Sequence, residues 1–378
     1  MLNNPFRPGF GSWPPSFVGR EHVELLFGEG LANGPGSRHH NSLVTGARGL
    51  GKTVLLAAFR DIAEQRGYRT VAVDANDGML RRIVRDLLLL EDELSDGNGW
   101  AASKIVTGAS AGVVKGELEF TRPNPSNPLS DDPMTMLKPL LERVTAQVVG
   151  NGGAGLLLTV DEMHAAVPAE LERLGNDLQH VQEVAFAGAA LPSIVDMIFN
   201  ERGATFFSRI ARFELEPLTT AESMEALCPP FDDADVAYER GDMLRAADRT
   251  LGYPYLVQLL GHEIWHRLEP GDPIVPELLD EAHHEAEQQA IMDVLQPTWR
   301  QLSPSSKQVL AILAEDSQGR GTVKNIRERL GKTSSWVSVY RSRLITSGVI
   351  RAAGRGVVEL TGGARAARWI QEQVVVEE

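Results

Sequence analysis

The chain has 378 residues, 37 of them lysine or arginine against 51 aspartates and glutamates, for a formal charge of −14. That length carries two or three domains with their own cores, and the acidic balance excludes attraction to nucleic acid over the whole surface. The only cysteine, Cys228, excludes an intramolecular disulfide and a cysteine-rich zinc site, and no apolar run approaches the roughly eighteen residues of a membrane helix.

Met1 to Pro15 holds one arginine, tandem prolines and no apolar segment, so no secretory leader is expected there and a cytoplasmic protein without a membrane partner is. Further on, Ser42-Leu43-Val44-Thr45 reads as a buried strand. It runs into Gly46-Ala47-Arg48-Gly49-Leu50-Gly51-Lys52-Thr53, a complete G-x-x-x-x-G-K-[ST] phosphate-binding loop, and Val54 to Phe59 beyond it reads as a helix. The glycines let the backbone curl so that its N–H groups and the positive end of the helix dipole converge on phosphates. In this reading Lys52 reaches the β- and γ-phosphates of ATP and Thr53 ligates Mg²⁺. Ala47, Arg48, Leu50 and Val54 complete the nucleotide-binding set. A mere glycine-rich turn leaves the flanking strand and helix unexplained.

Arg69 to Asp74 reads as a second strand and Leu80 to Leu90 as an apolar-periodic helix. Residues 97–133 break the pattern: an insertion is expected, with a short hairpin about Lys115–Phe120 and a proline-rich loop at Pro123–Pro128, and no role is assigned to it. Gly155-Leu156-Leu157-Leu158-Thr159-Val160 has the continuous apolarity of a central parallel strand, and it ends in Asp161-Glu162. Ligands bind at the C-terminal edge of such sheets, so Asp161 is expected to hold the magnesium and Glu162 to polarise the attacking water. The alternative is a strand that simply ends in a solvated acidic turn. Ala169 to Gln182 has helical spacing, Glu183 to Gly188 is a further strand and Arg212 to Leu215 a last short one. Five strands alternating with helices predict a three-layer α/β/α core around a parallel sheet, spanning residues 1–217, in which the acidic strand need not neighbour the phosphate strand. From Thr219 to about Leu302 every signal is helical, with Pro254 suited to a first turn, and 218–302 is expected to be a helical lid.

Residues 303–378 carry twelve lysines and arginines against seven acidic residues, a basic module on an acidic body. Ser305–Ala314, Val323–Leu330 and a helix capped by Thr333-Ser334 are followed by Val349–Arg351, a turn at Ala353–Gly356 and Val357–Leu360. Helix, helix, recognition helix and two-stranded wing is a DNA-binding order. On the third helix Val337, Tyr340 and Leu344 form the expected buried stripe. Ser335, Ser338 and Ser342 lie opposite, flanked by Arg341 and preceded by Lys332, with Arg351 and Arg355 on the wing. Lys332, Ser335, Ser338, Arg341, Arg351 and Arg355 are therefore candidate contacts to double-stranded DNA. A protein partner or the chain's own core is the alternative surface for this module.

His262-Glu263-Ile264-Trp265-His266 fits H-E-x-x-H, a zinc-protease signature when it stands on a helix beside a cleft. It falls in the helical lid with no cleft suggested around it, so packing of Ile264 and Trp265 with hydrogen-bonded or surface histidines is the favoured reading. Cys228 is read as a small buried side chain rather than a nucleophile.

Together these motifs resemble the AAA+/STAND class of P-loop ATPases, close to its origin-recognition-type branch. Besides the Walker pair, Phe17-Val18-Gly19-Arg20-Glu21 resembles the box that lines the adenine pocket, which places Val18 and Arg20 near the base. Gly252-Tyr253-Pro254 resembles the G-x-P motif of STAND lids, with Pro254 at the nucleotide. The resemblance implies strand order 5-1-4-3-2, a lid closing over ATP, possible homo-oligomers, and Arg209 as an arginine finger offered to a neighbouring subunit, with a surface arginine paired with Glu214 or solvent as the equal alternative. It departs from the pattern where the strand Val184–Gly188 runs into Ala189-Ala190-Leu191-Pro192-Ser193, without the Asn or Thr of a water-orienting sensor. Hydrolysis is therefore expected to be slow. The function expected is a Mg²⁺-dependent ATPase coupled through the lid to a DNA-binding winged helix; the alternative is a nucleotide switch or scaffold whose winged helix binds protein.

Overall fold

The computed structural model describes residues 3–9, 11–95, 133–181, 183–192, 194, 205–361 and 363–377. The insertion expected over 97–133 lies, apart from Pro133, outside them. The chain divides into two compact units, one of Arg20–Thr45 and Lys52–Glu214, the other of Met1–Gly19, Gly46–Gly51 and Leu215–Glu378.

The first unit is built on α1 (Glu21–Asn33), β1 (Asn41–Thr45), α2 (Lys52–Gln65), β2 (Tyr68–Asp74), α3 (Met79–Ser95), α4 (Pro133–Gly150), β3 (Gly155–Asp161), α5 (Pro168–Leu178), β4 (Val184–Ala190), α6 (Thr205–Arg209) and β5 (Ala211–Glu214). The strands form one sheet in the order β2-β3-β4-β1-β5, every neighbouring pair parallel. Read from the other edge this is the expected 5-1-4-3-2, with β4 between the phosphate strand and the acidic strand.

All seven residues of β3 and of β4 are buried, as central strands covered on both faces must be. Because side chains alternate across a strand, Leu156, Leu158 and Val160 join a core with Leu80, Ile83, Leu87, Leu140, Leu141, Leu171 and Leu174 of α3, α4 and α5. Thr159 points to the opposite face, where Arg60 of α2 donates to its hydroxyl at 3.2 Å. There Phe27 of α1 stacks on Phe59 of α2 at 3.9 Å between ring centres. Asp161, two residues beyond Thr159, faces the same way, and this alternation puts a carboxylate beneath the start of α2.

In the second unit come α7 (Thr220–Leu227), α8 (Pro229–Asp233), α9 (Arg240–Arg249), α10 (Pro254–Arg267) and α11 (Pro276–Ala290), whose last turn widens into a π-helical segment, Ile291–Leu295, before α12 (Gln296–Gln301). Thr219 opens α7 with a capping box: its hydroxyl accepts from the Glu222 N–H while the Glu222 carboxylate accepts from the Thr219 N–H. The C-terminal module follows as α13 (Pro304–Ala314), β6 (Arg320–Thr322), α14 (Val323–Leu330), α15 (Ser334–Thr346), β7 (Ile350–Ala352), β8 (Val357–Leu360) and α16 (Gly363–Glu377). Ser303, Thr322 and Thr333 cap its three inner helices, each hydroxyl accepting a backbone N–H, and Gly331 ends α14 in the left-handed region. The predicted two-stranded wing gains a third strand, giving an antiparallel sheet β6-β8-β7.

Candidate active site

The phosphate loop leaves β1 with Gly49 at φ 80° and Gly51 at φ 85°, values that favour glycine at both places. A Cβ at Gly46 would lie 3.2 Å from the Leu215 carbonyl oxygen, a tight contact that needs a small shift of its neighbours. The Gly49 carbonyl accepts from the N–H of Tyr255, one residue after Pro254 at the start of α10. A Cβ at Gly348, after α15, would stand 3.2 Å from the Arg48 nitrogen and 3.4 Å from Ala47 Cβ. Within this unit the phosphate loop, the start of α10 and the C-terminal module therefore touch.

Lys52 is the first residue of α2 and is buried, Thr53 is exposed and Val54 half-buried. The Thr53 hydroxyl donates to Asp161 Oδ2 at 2.6 Å, and Oδ1 accepts from the Glu162 N–H at 2.7 Å. Burial pushes the Asp161 carboxyl above its ordinary range; these two bonds and the Lys52 charge pull it back only in part. Asp74 ends β2 directly beside Asp161 in the register. Burial likewise lowers the Arg60 guanidinium, against the pull of Asp61 and Asp161. A nearly buried carboxylate and an adjacent hydroxyl are oxygen donors that Mg²⁺ takes, and a loop with left-handed glycines at 49 and 51 ahead of a helix is backbone that a polyphosphate takes, so these residues fit both groups.

Glu162 follows with φ 53° and ψ 33°, a left-handed conformation uncommon for a non-glycine residue. Its side chain is half exposed, and Oε2 lies 3.0 Å from Nε2 of His164. His164 belongs to no motif of the sequence, and its one signal there is its place two residues past the acidic pair.

Val18 is half-buried and Arg20, at the N-cap of α1, is buried. Pro254 takes the first turn of α10 as expected. Arg209 ends α6 exposed, immediately before β5. In the C-terminal module Lys332, Ser335, Ser338 and Arg355 are exposed, and Lys332 sits 5.6 Å above the Trp336 ring. Arg341 is half-buried with Nε enclosed and without a hydrogen-bond partner, and Arg351 is half-buried in an ion pair with Glu359. Both stand further inside than the serine face on which helical spacing put Arg341.

The H-E-x-x-H residues lie on α10, and two of the three have partners elsewhere. His262 Nδ1 is 3.0 Å from the Asn4 amide nitrogen and Glu263 pairs with Arg267. Among the described residues no cluster of three or more His, Cys, Asp or Glu is placed to hold a metal ion. Cys228 is buried, and no helix among the described residues is long and apolar enough to cross a membrane.

The architecture is that of the P-loop nucleoside triphosphatases. The chain is similar to a Walker-type ATPase of Pyrococcus abyssi, with a TM-score of 0.65 and 14% identity over 94% of this chain and 96% of that one. It is also similar to the ORC2 protein of Aeropyrum pernix, solved in ADPNP–ADP complexes, with a TM-score of 0.63 and 14% identity over 98% of each chain. At such identity the likeness is one of fold. A family model described as Domain of unknown function (DUF8462) matches residues 292–363. No curated protein matches the chain.

Proposed function

We propose that this chain is a Mg²⁺-dependent ATP-binding protein and ATPase, in which nucleotide state is passed through a helical lid at 218–302 to a winged helix at 303–378 that binds double-stranded DNA. The observation that carries the reading is the Thr53 hydroxyl on the Asp161 carboxylate at 2.6 Å, the pairing of loop and acidic strand that a magnesium site needs. Lys52 and the backbone of Gly46–Thr53 hold the phosphates, Thr53 and Asp161 hold the metal, Val18, Arg20 and Pro254 line the base end, and Glu162 polarises water. Bound Mg²⁺ supplies charge neutralisation at the β- and γ-phosphates. Arg209, exposed at the end of α6, is the candidate finger for a neighbouring copy in a homo-oligomer. The Aeropyrum ORC2 neighbour, solved in ADPNP–ADP complexes, supports the nucleotide-binding part of this reading.

The coupling to the C-terminal module is supported by the approach of Gly348 to Arg48 and by the Tyr255–Gly49 hydrogen bond. Capped helices followed by a hairpin suit a major-groove reader, with Lys332, Ser335, Ser338 and Arg355 as its contacts. Arg351 has to leave Glu359 to reach a phosphate, and Arg341 has to leave its half-buried place, so both are assigned secondary positions at that surface.

A second reading is favoured by the end of β4, where Ala189-Ala190-Leu191 puts no polar side chain at the sensor position. It is a nucleotide switch with slow hydrolysis whose winged helix engages a protein. ATP turnover and binding by the wild type, Lys52→Ala and Glu162→Gln, with and without mixed duplex DNA, separate the two. The ATPase reading expects no binding in the first variant, and binding without turnover in the second. It also expects DNA stimulation in the wild type that weakens with salt. Bound nucleotide with negligible turnover, indifferent to DNA, would establish the switch; wild-type turnover in Glu162→Gln would remove Glu162 from its role.

A further inference from the structure

The three-residue 3₁₀ turn after β3, Met163–Ala165, is pinned against β4: a Cβ at Gly188 would fall 2.1 Å from the Met163 sulfur. From that turn His164 reaches the end of β4, where its Nδ1 accepts the Leu191 N–H at 3.3 Å. A backbone N–H can only donate, so Nδ1 is unprotonated and the ring proton sits on Nε2, 3.0 Å from Glu162 Oε2. The ring itself is only 16% exposed, whereas the Glu162 side chain is 48% exposed.

We propose that His164 is a positioning residue for Glu162. It supplies, from the turn after β3, the polar side chain that β4 lacks at Ala189-Ala190-Leu191, and it uses the backbone of β4 as its anchor. A carboxylate accepts at about four lone-pair positions, so one bond from Nε2 orients the group and leaves others for water. Holding the Glu162 carboxylate in one rotamer beforehand is worth about tenfold in turnover. The inference rests on the reading of Glu162 as the group that polarises water.

The test is steady-state ATP hydrolysis by full-length wild type, His164→Ala, His164→Gln, Glu162→Gln and the Glu162→Gln/His164→Ala double variant, with nucleotide affinity and thermal melting measured in parallel. The expected result is about a tenfold fall in kcat for His164→Ala at unchanged ATP affinity and melting temperature. The glutamine, whose amide still donates toward Glu162, should restore part of the rate, and the histidine change should cost nothing further once Glu162 is gone. A His164→Ala kcat equal to wild type, while Glu162→Gln is inactive, overturns this inference alone. So does a histidine effect that persists undiminished in the double variant. Wild-type turnover in Glu162→Gln, or none in wild type, overturns the assignment of Glu162 and this inference with it.

Discussion

Asp161→Asn should make the nucleotide-free protein more stable and the magnesium complex weaker. Asp161 is 9% exposed, and its two oxygens accept from Thr53 and from the Glu162 N–H. Burial still outweighs these bonds and raises its folded pKa. A carboxyl raised in this way contributes stability while it is protonated. That contribution is complete below the unfolded value of 3.8 and is lost as pH rises through the folded pKa, so the wild type carries the penalty once the pH is above that folded pKa. Asparagine keeps the shape: its oxygen faces the Glu162 N–H and its amide donates to the Thr53 oxygen. Removing a desolvated charge while keeping both bonds is worth on the order of 1 kcal/mol, or about 2–4 °C in the melting of a unit of this size. The added stability from Mg·ATP at a hundredfold excess over Kd, about 2.7 kcal/mol for the wild type, should largely disappear in the variant. Differential scanning fluorimetry at neutral pH, with and without Mg·ATP, reads both effects. A variant that melts below wild type without nucleotide, or that gains the full magnesium-dependent shift, refutes the argument; on acidification the two proteins should converge.

Gly252 has φ 73°, and a Cβ there would stand 2.0 Å from the Leu218 carbonyl oxygen, so Gly252→Ala should cost more than about 2 kcal/mol, read as a lowered denaturation midpoint. Phe6 is 2% exposed, packs 5.3 Å from the Phe231 ring and lies directly over Gly261. Phe6→Ala should lower stability by about 3–5 kcal/mol and open the N-terminal segment to limited proteolysis. The H-E-x-x-H helix should hold no zinc: elemental analysis should find less than stoichiometric metal, and a chelator should leave the melting temperature unchanged. Stoichiometric zinc lost together with stability would reverse that reading.

The parts of the fold that were legible are those where a periodic pattern and a chemical need coincide. β3 announces itself by the five apolar or β-branched residues Leu156–Val160 before Asp161, and α2 by the loop that must feed it. α1 escaped notice because its buried side includes Gly28 and Gly30, the latter pressed so close to the His39 backbone that no side chain fits; a helix packed through glycines has little apolar stripe to read. α4 carries Pro139 inside it and follows the insertion, so its pattern reads as broken. β6 has only three residues and is defined by its partner β8 rather than by its own sequence. Arg341 and His164 show the same limit at the level of sites. Helical spacing places Arg341 roughly on a face but cannot show that its Nε is enclosed, and His164 acquires its partner from a strand 27 residues away.

The π-helical turn at Ile291–Leu295 bears on the proposed path of a nucleotide signal out of the phosphate loop. Such a turn re-aims the side chains of a helix by adding a residue to one turn, and it is found most often at functional places. Here it presents Asp293 to the Tyr255 hydroxyl, whose own N–H holds the Gly49 carbonyl, and it seats Ile291 and Leu295 in the core of the C-terminal module. Burial and the Asp293 hydrogen bond both raise the Tyr255 pKa, so the phenol stays a donor at any physiological pH. A displacement of Gly49 is thus two hydrogen bonds from the module's core, and the direct approach of Gly348 to Arg48 supplies a second route. The matched family model begins at residue 292, inside this turn, rather than at the module's first helix.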